Sequence, residues 1–229
     1  MVPSADQRLG LMALREDLEE IVLGEASGSS KAEALLPYAF GEDFFLRHKA
    51  YYLLKGLKEQ SAVPFLLERA QTPGIEEGEM LRILDALSPF PQGVLELRGL
   101  LRHKNPYLVR GEVMALAMAG GKEALKTLLE FAASPWGRMI RRELMAEVLG
   151  FLLEKEPLLK SHLAELMEAS PLIRGYLRDM ELHPPAYGRL SVFPANDYWA
   201  LQARKEGLDY GEFKDGVETI HRKKRGKGI

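Results

Sequence analysis

The sequence contains no cysteine among its 229 residues, which excludes disulfides, thiolate metal sites and a cysteine nucleophile. It also has no apolar run approaching the roughly 18 to 20 residues that a membrane-spanning helix needs. The first ten residues, MVPSADQRLG, lack the basic segment followed by an apolar segment that marks a secretion signal. These absences predict a cytoplasmic protein, and a cysteine-free chain rich in Glu, Arg and Leu is typical of heat-adapted proteins.

Catalytic signatures are equally scarce. The five histidines stand singly, without the two-ligand spacing on one helix face that a zinc site such as HExxH requires; they are His48, His103, His162, His183 and His221. No Gly-x-Ser-x-Gly elbow is present, and residues 24–31, although rich in glycine and serine, have the wrong spacing for a phosphate-binding loop. The sequence therefore predicts no catalytic residue, no metal site and no cofactor.

Charge is distributed unevenly along the chain. The 31 Lys and Arg residues nearly balance the 33 Asp and Glu residues, which gives a formal net charge of −2. Residues 1–182 carry 22 basic and 27 acidic side chains, whereas residues 183–229 carry 9 basic and 6 acidic ones. An acidic body and a basic tail indicate that the two parts have different partners.

The stretch 106–134 organises the rest of the chain, because it predicts two helices joined by a tight Gly120-Gly121 turn. Each helix has a stripe of apolar residues at helical spacing: Val109, Val113, Leu116 and Ala117 in the first, and Ala124, Leu125, Leu128, Leu129 and Ala132 in the second. Neither helix buries its stripe alone, so the pair is expected to stack against copies of itself.

Such copies are present on both sides of this stretch. The sequence predicts five helix pairs: 31–40 with 43–57, 60–71 with 76–88, 91–103 with 106–119, 122–133 with 138–153 and 157–169 with 171–182. The second helices align on Arg47, Glu79, Arg110, Arg141 and Arg174, which are 32, 31, 31 and 33 residues apart. Three residues that each precede a proline are predicted to cap helices; they are Asn105, Ser134 and Ser170.

The pattern resembles the HEAT-repeat family. Four of the second helices open with a hydrophobic residue followed by arginine: Leu46-Arg47, Val109-Arg110, Ile140-Arg141 and Ile173-Arg174. A small or apolar stripe follows, and a turn such as Ala119-Gly120-Gly121 leads to the next leucine-rich helix. The resemblance covers about residues 31–182, and it departs from the family where Glu79 stands in place of arginine.

This resemblance implies an all-α, right-handed α-solenoid of about five HEAT-like helix pairs. Residues 1–30 are expected to form an N-terminal capping helix and linker, residues 31–182 the solenoid, and residues 183–229 a proline-rich strap, helices and the basic tail. The recurring arginines are expected to hold neighbouring turns by hydrogen bonds. A basic row that binds phosphate is the alternative, but Glu79 interrupts that row.

Six aromatic residues are candidate binding residues. Tyr51, Tyr52, Tyr107 and Tyr176 fall on second helices, which the resemblance places on the concave face of the solenoid. Trp136 lies at a predicted corner between helices and Trp199 lies in the tail, and packing of the tail on the solenoid is the favoured reason for both. The alternative is that both tryptophans anchor a partner, since Trp and Tyr dominate binding hot spots.

The chain ends in a basic tail, whose cations are Arg222, Lys223, Lys224, Arg225 and Lys227. Such a tail is suited to nucleic acid or to an anionic surface. A solvated terminus that aids solubility is the favoured interpretation.

The leading functional prediction is a non-enzymatic scaffold or adaptor that binds another protein through the solenoid surface. The first alternative is nucleic-acid binding through the basic tail. The resemblance also implies a less favoured enzyme, because some DNA alkyl-base glycosylases have a HEAT-like fold; that activity needs a basic concave face with aromatic and acidic residues around a flipped base. A tetrapyrrole lyase or a chaperone-like helper, which the resemblance also allows, has no specific support.

Overall fold

The computed structural model describes Leu18, residues 31–185, residues 190–193, residues 203–205 and residue 207. This part of the chain contains helices and no strand, which confirms the all-α prediction. None of its helices combines the length and the apolar character needed to cross a membrane. Of the predicted N-terminal helix only Leu18 is described, and it is helical and fully buried.

The chain divides into two compact units, Met1–Ala62 with Ala195–Ile229, and Val63–Pro194. In the first unit, α1 (Lys31–Ala39) packs against α2 (Phe44–Leu57). The side chain of Asp43 accepts a 2.9 Å hydrogen bond from the backbone N–H of Leu46 and so caps α2. The ring of Phe44 meets Phe45 edge-on at 5.4 Å and stacks on His48 at 6.1 Å, so this helix start is closely packed.

The other helices whose bounds the structure gives lie in the second unit. They are α3 (Ala62–Ala70, starting at the unit boundary), α4 (Glu77–Leu87), α5 (Pro91–Glu96), a first 3-10 helix (Arg98–Arg102), α6 (Pro106–Ala119), α7 (Lys122–Ala133), a second 3-10 helix (Pro135–Met139), α8 (Arg142–Lys155), α9 (Leu159–Ala169) and α10 (Pro171–Leu177). Each helix predicted between residues 31 and 182 overlaps one or two of the observed helices, so the positions of the predicted helices are confirmed.

Three predicted helices differ from the observed ones. The helix expected over 91–103 breaks into α5 and a 3-10 helix at Leu97, which adopts φ −94° and ψ 5°. The helix expected from residue 138 starts at Arg142, because Ile140 has an extended backbone. The last helix ends at Leu177, short of the predicted residue 182, and Asp179 then adopts a left-handed φ of 59°.

The helices of the second unit contact one another in two series. The first helices α5, α7 and α9 touch in succession, and so do the second helices α4, α6 and α8. At the starts of α4 and α6, the side-chain amide of Asn105 donates to a carboxylate oxygen of Glu77. At the ends of α6 and α8, the backbone N–H of Gly121 donates to Glu156 Oε2 over 3.1 Å. The helices α4, α6 and α8 therefore run in the same direction, whereas α10 packs mainly on α7.

A glycine lies where α4 and α6 pack closely against each other. A Cβ atom on Gly111 would lie 2.5 Å from Leu81 Cδ2 and 3.3 Å from Leu84 Cδ1. The predicted apolar stripes of α6 and α7 are buried throughout, and Gly120 and Gly121 have φ values of 84° and 86°, as a tight turn requires. The core predicted from residues 106–134 is therefore confirmed.

A non-helical strap follows α10 and returns along the second unit; its described residues are 181–185 and 190–193. The backbone of His183 lies directly against Gly150 in α8. Farther along, Ser191 accepts a 3.3 Å hydrogen bond from the guanidinium of Arg110, and Val192 is fully buried near Gly111. The strap therefore crosses α8 and then α6, and in these residues it does not form a sixth helix pair.

We predict that Gly150→Ala destabilises the protein by about 1–3 kcal/mol, because the added Cβ would overlap the backbone of His183, which cannot rotate away as a side chain could. Urea denaturation measures this difference in the free energy of unfolding. Gly175→Ala is the matched control: it lies within α10 with nothing near its Cβ position, and we expect it to stabilise by about 0.5–1 kcal/mol. Equal effects of the two substitutions would contradict the proposed packing of the strap.

Candidate functional site

The two candidate tyrosines of the first unit lie on α2 and differ in exposure. Tyr51 is 2% exposed, so its ring belongs to the core. Tyr52 is half-buried. The candidate residues Trp199, Arg222, Lys223, Lys224, Arg225 and Lys227 lie outside the described residues.

Two candidate aromatic residues of the second unit are exposed at the same edge. Tyr107 is the second residue of α6 and is 36% exposed, and Trp136, in the 3-10 helix just before α8, is 41% exposed. Because α6 and α8 run in the same direction, the turns that lead into them lie at one edge of the unit. The structure therefore brings together two residues that are 29 positions apart in the sequence.

The third candidate of this unit, Tyr176, reaches the same edge from α10. The guanidinium carbon of Arg142, at the start of α8, lies 5.9 Å from the centroid of the Tyr176 ring, within cation–π range. Arg142 also donates to the backbone oxygen of Tyr176 over 3.0 Å and to that of Arg178. Partial burial raises the pKa of Tyr176, and the positive charge of Arg142 opposes that shift.

Capping side chains shape the turns at this edge. Asn105 accepts a 2.9 Å hydrogen bond from the backbone N–H of Tyr107, which fixes the start of α6 with Pro106 as its first residue. Ser170 caps α10 in the predicted way, by accepting from the backbone N–H of Ile173 over 3.3 Å. The predicted cap at Ser134 is wrong: its hydroxyl donates back to the carbonyl of Phe131 over 2.6 Å, and a 3-10 helix follows.

The aligned arginines do not form a regular ladder. Arg47 and Arg174 donate to carbonyl groups just before their own helices, those of residues 41–42 and 167–168. Arg110 donates to the strap. At the fourth position Arg142, rather than Arg141, makes the backbone bonds. At the second position, where Glu79 replaces arginine, the aligned side chain accepts hydrogen bonds instead of donating them. Arg69 donates two hydrogen bonds to Glu79, at 2.7 and 3.0 Å.

Charge is strongly segregated within residues 63–194. Three stretches that include the turns into α6, α8 and α10 contain nine Lys and Arg residues and no acidic residue; they are residues 98–110, 134–142 and 170–178. The rest of this unit contains seven basic and seventeen acidic residues. A whole-chain count, in which the body is acidic, therefore hides a local concentration of positive charge.

Most of these cations are solvent-exposed and unneutralised. We define the basic edge as the exposed aromatic residues and cations around the starts of α6 and α8: Arg98, Arg102, Lys104, Tyr107, Trp136, Arg138, Arg141 and Arg142. Within the described part of the chain, Arg102, Lys104, Arg138 and Arg141 make neither an ion pair nor a side-chain hydrogen bond. The ion pairs Arg69–Glu79, Lys155–Glu156 and His162–Glu165 include no cation of the basic edge, and the first of them lies at the neighbouring turn into α4.

The basic edge ends where the neighbouring turn becomes acidic. Glu76 and Glu77 stand at the start of α4, and Glu77 is joined to the turn before α6 through Asn105. Two turns of opposite charge are thus adjacent, with Arg102 and Lys104 on one side and these glutamates on the other. The change of sign gives the surface a defined end, and a bound polyanion would be repelled beyond it.

A buried acid lies in the same helix as Tyr107. Glu112 is 0% exposed in the middle of α6, and neither of its carboxylate oxygens has a hydrogen-bond partner among the described residues. Burial raises the pKa of Glu112 well above its ordinary value, because the charged form loses its hydration without gaining a partner. The described residues contain no group of three or more His, Asp or Glu side chains placed to hold a metal ion.

We predict that Glu112 makes the folded state less stable as the pH rises. Folded and unfolded chains are both protonated here below the ordinary pKa of glutamate, so the free energy of unfolding is highest there. It falls above that pKa, where only the unfolded chain ionises, and levels off beyond the raised pKa of the folded state.

The glutamine in Glu112→Gln cannot titrate, so this variant lacks the pH-dependent contribution of Glu112 to the free energy of unfolding. Thermal melting at pH 5 and at pH 8 measures the effect. Raising the pH should lower the stability of the natural chain more than that of the variant, so the variant should gain stability relative to the natural chain at pH 8. The same difference at both pH values would show that Glu112 is not a buried, unpartnered acid. Glu147→Gln, at a half-buried position of α8, is the matched control for the loss of one carboxylate.

Comparisons of the chain with protein-family models, with curated proteins and with solved structures find no match.

Proposed function

We propose that the chain is a HEAT-like α-solenoid that acts as a non-catalytic scaffold and binds a macromolecular partner through its second unit. The architectural part is supported by the two series of touching helices and by the common direction of α4, α6 and α8. Repeats that stack in this way present equivalent turns side by side and so build extended binding surfaces.

The last helix pair ends this regular stacking. Helix α10 is only seven residues long, and it packs on α7 while its C-terminal end meets Arg142 at the start of α8. The strap then covers parts of α8 and α6. In a solenoid of this kind, such a departure has the role of a terminal cap, because an uncapped end exposes the apolar stacking face.

One observation supports the location of the binding surface: the basic edge combines exposed aromatic rings with four cations, Arg102, Lys104, Arg138 and Arg141, that make no ion pair or side-chain hydrogen bond in the described part of the chain. Aromatic and arginine side chains are the groups that contribute most at binding hot spots. The sequence favours a protein as the partner, and this stays a prediction. Nucleic acid is the second candidate, and the segregation of positive charge at this edge supports it.

The test is quantitative capture of partners by the full chain from a lysate of the source cells, with and without nuclease. We expect Trp136→Ala to lower capture about 30-fold, the effect of losing a hot-spot residue worth about 2 kcal/mol. Phe65→Ala is the matched control, because Phe65 is an aromatic residue of the same unit with 37% exposure on α3, away from the basic edge.

Equal loss of capture in both variants would indicate a nonspecific effect on folding or solubility. Unchanged capture by Trp136→Ala would contradict the basic edge as the scaffold's contact surface. Circular dichroism of both variants establishes that the helices are retained.

A further inference from the structure

We infer that the basic edge binds single-stranded nucleic acid. This inference rests on the proposed function, since it names the partner of the same surface. It differs from the alternative seen in the sequence, which assigned nucleic-acid binding to the tail at residues 221–229.

The charge of the basic edge is complementary to that of a phosphate backbone. Seven cations are grouped around two adjacent turns, Arg98, Arg102, Lys104, Arg110, Arg138, Arg141 and Arg142, with no acidic residue inside either acid-free stretch. Four of them, Arg102, Lys104, Arg138 and Arg141, are exposed and have no partner within the described residues. Unpaired surface cations attract a polyanion and release its condensed counterions, which is the main source of affinity for a phosphate backbone.

Two aromatic side chains are exposed at the same turns as these cations. Tyr107 and Trp136 are both exposed by more than a third, and each follows a proline at the turn into a second helix. Bases of a single strand are free to stack on such rings, whereas the bases of a duplex are already stacked on each other. Exposed rings at the same turns as unpaired cations therefore favour a single strand over a duplex.

The surrounding surface adds selectivity. Outside the three acid-free stretches the second unit has ten more acidic than basic residues, so a nucleic acid is repelled from the rest of this unit. The glutamates at the start of α4 limit the site on one side. An acidic protein segment would share the charge complementarity but would not need stacking on both rings, and binding of such a segment is an outcome of the test below.

The salt dependence follows from the number of unpaired cations. If Arg102, Lys104, Arg138 and Arg141 each contact one phosphate, log K should fall with log[salt] with a slope of about −3, at about −0.7 per contact on a single strand. Stacking is less sensitive to salt, so affinity that persists at high salt should depend on Trp136 and Tyr107.

The experiment measures fluorescence anisotropy of a labelled 20-nucleotide single strand of mixed sequence with the full chain. Arg138→Gln/Arg141→Gln should weaken binding about 10- to 30-fold at 0.1 M salt and make the slope shallower by about 1.4. Lys122→Gln/Lys126→Gln is the matched control: it changes the net charge equally, on exposed positions of α7, whose start lies at the opposite end from the basic edge. The affinity of the control variant should stay within about twofold of that of the natural chain, because salt screens two charges that lie far from the binding surface.

A second variant tests stacking without changing charge. Trp136→Leu should weaken binding of the single strand about 5- to 100-fold, and Phe65→Leu should leave it unchanged. A 20-base-pair duplex of the same sequence should bind more weakly than the single strand and should respond less to Trp136→Leu.

Equal weakening by the two charge variants would overturn the inference, because net charge alone would then explain binding. Loss of binding only when Arg222, Lys223, Lys224, Arg225 and Lys227 are replaced by glutamine would assign it to the tail and overturn the inference as well. If the full chain binds neither probe but captures a protein in a manner that depends on Trp136, the inference fails while the proposed scaffold function stands. If no partner of any kind depends on Trp136, both fail.

Discussion

The stacking of second helices in a common direction is the constraint on which the rest of the second unit depends. Helices α4 and α6 approach closely because Gly111 has no side chain, and α6 is tied to α8 where Gly121 meets Glu156. These contacts set the turns before α6 and α8 at one edge. The strap depends on the same stacking, since its residues lie on Gly150 of α8 and beside Gly111 of α6. A different direction of α8 would move Trp136 away from Tyr107 and disperse the cations.

The charges of this unit differ in what they cost the stability of the fold. Exposed pairs such as Lys155–Glu156 add little to stability, so leaving the cations of the basic edge unpaired costs the fold little. The same lack of partners leaves them available to a polyanion. Glu112 is the opposite case, because its carboxylate is removed from water without a partner and opposes folding at neutral pH. Because Glu112 lies in α6, whose start forms part of the basic edge, the stability of this helix depends on pH.

Helical periodicity predicts the fold well and the site only in part. The apolar stripes of residues 106–134 identify α6, α7 and their turn, because burial of one helix face imposes a spacing that the sequence must show. The break at Leu97, the start of α8 at Arg142 and the packing of α10 on α7 depend on tertiary contacts, which leave no periodic signal. Charge counted over residues 1–182 conceals the basic edge, although the acid-free stretches at successive turns are readable in the sequence once the helix pairs are aligned. Burial of Tyr51 was not readable, because α2 is apolar on more than one face.

The most direct test of the central claim is a pair of distance measurements by electron spin resonance, which the absence of cysteine makes simple. Labels at Lys104→Cys and Arg141→Cys report the distance between the starts of α6 and α8, and labels at Lys104→Cys and Glu154→Cys report the distance from the start of α6 to the end of α8. All three positions are exposed, so the labels should not disturb packing. A 14-residue helix is about 21 Å long, so the first distance should be clearly the shorter. Equal distances, or a shorter second one, would contradict the common direction of the helices and the existence of a single basic edge.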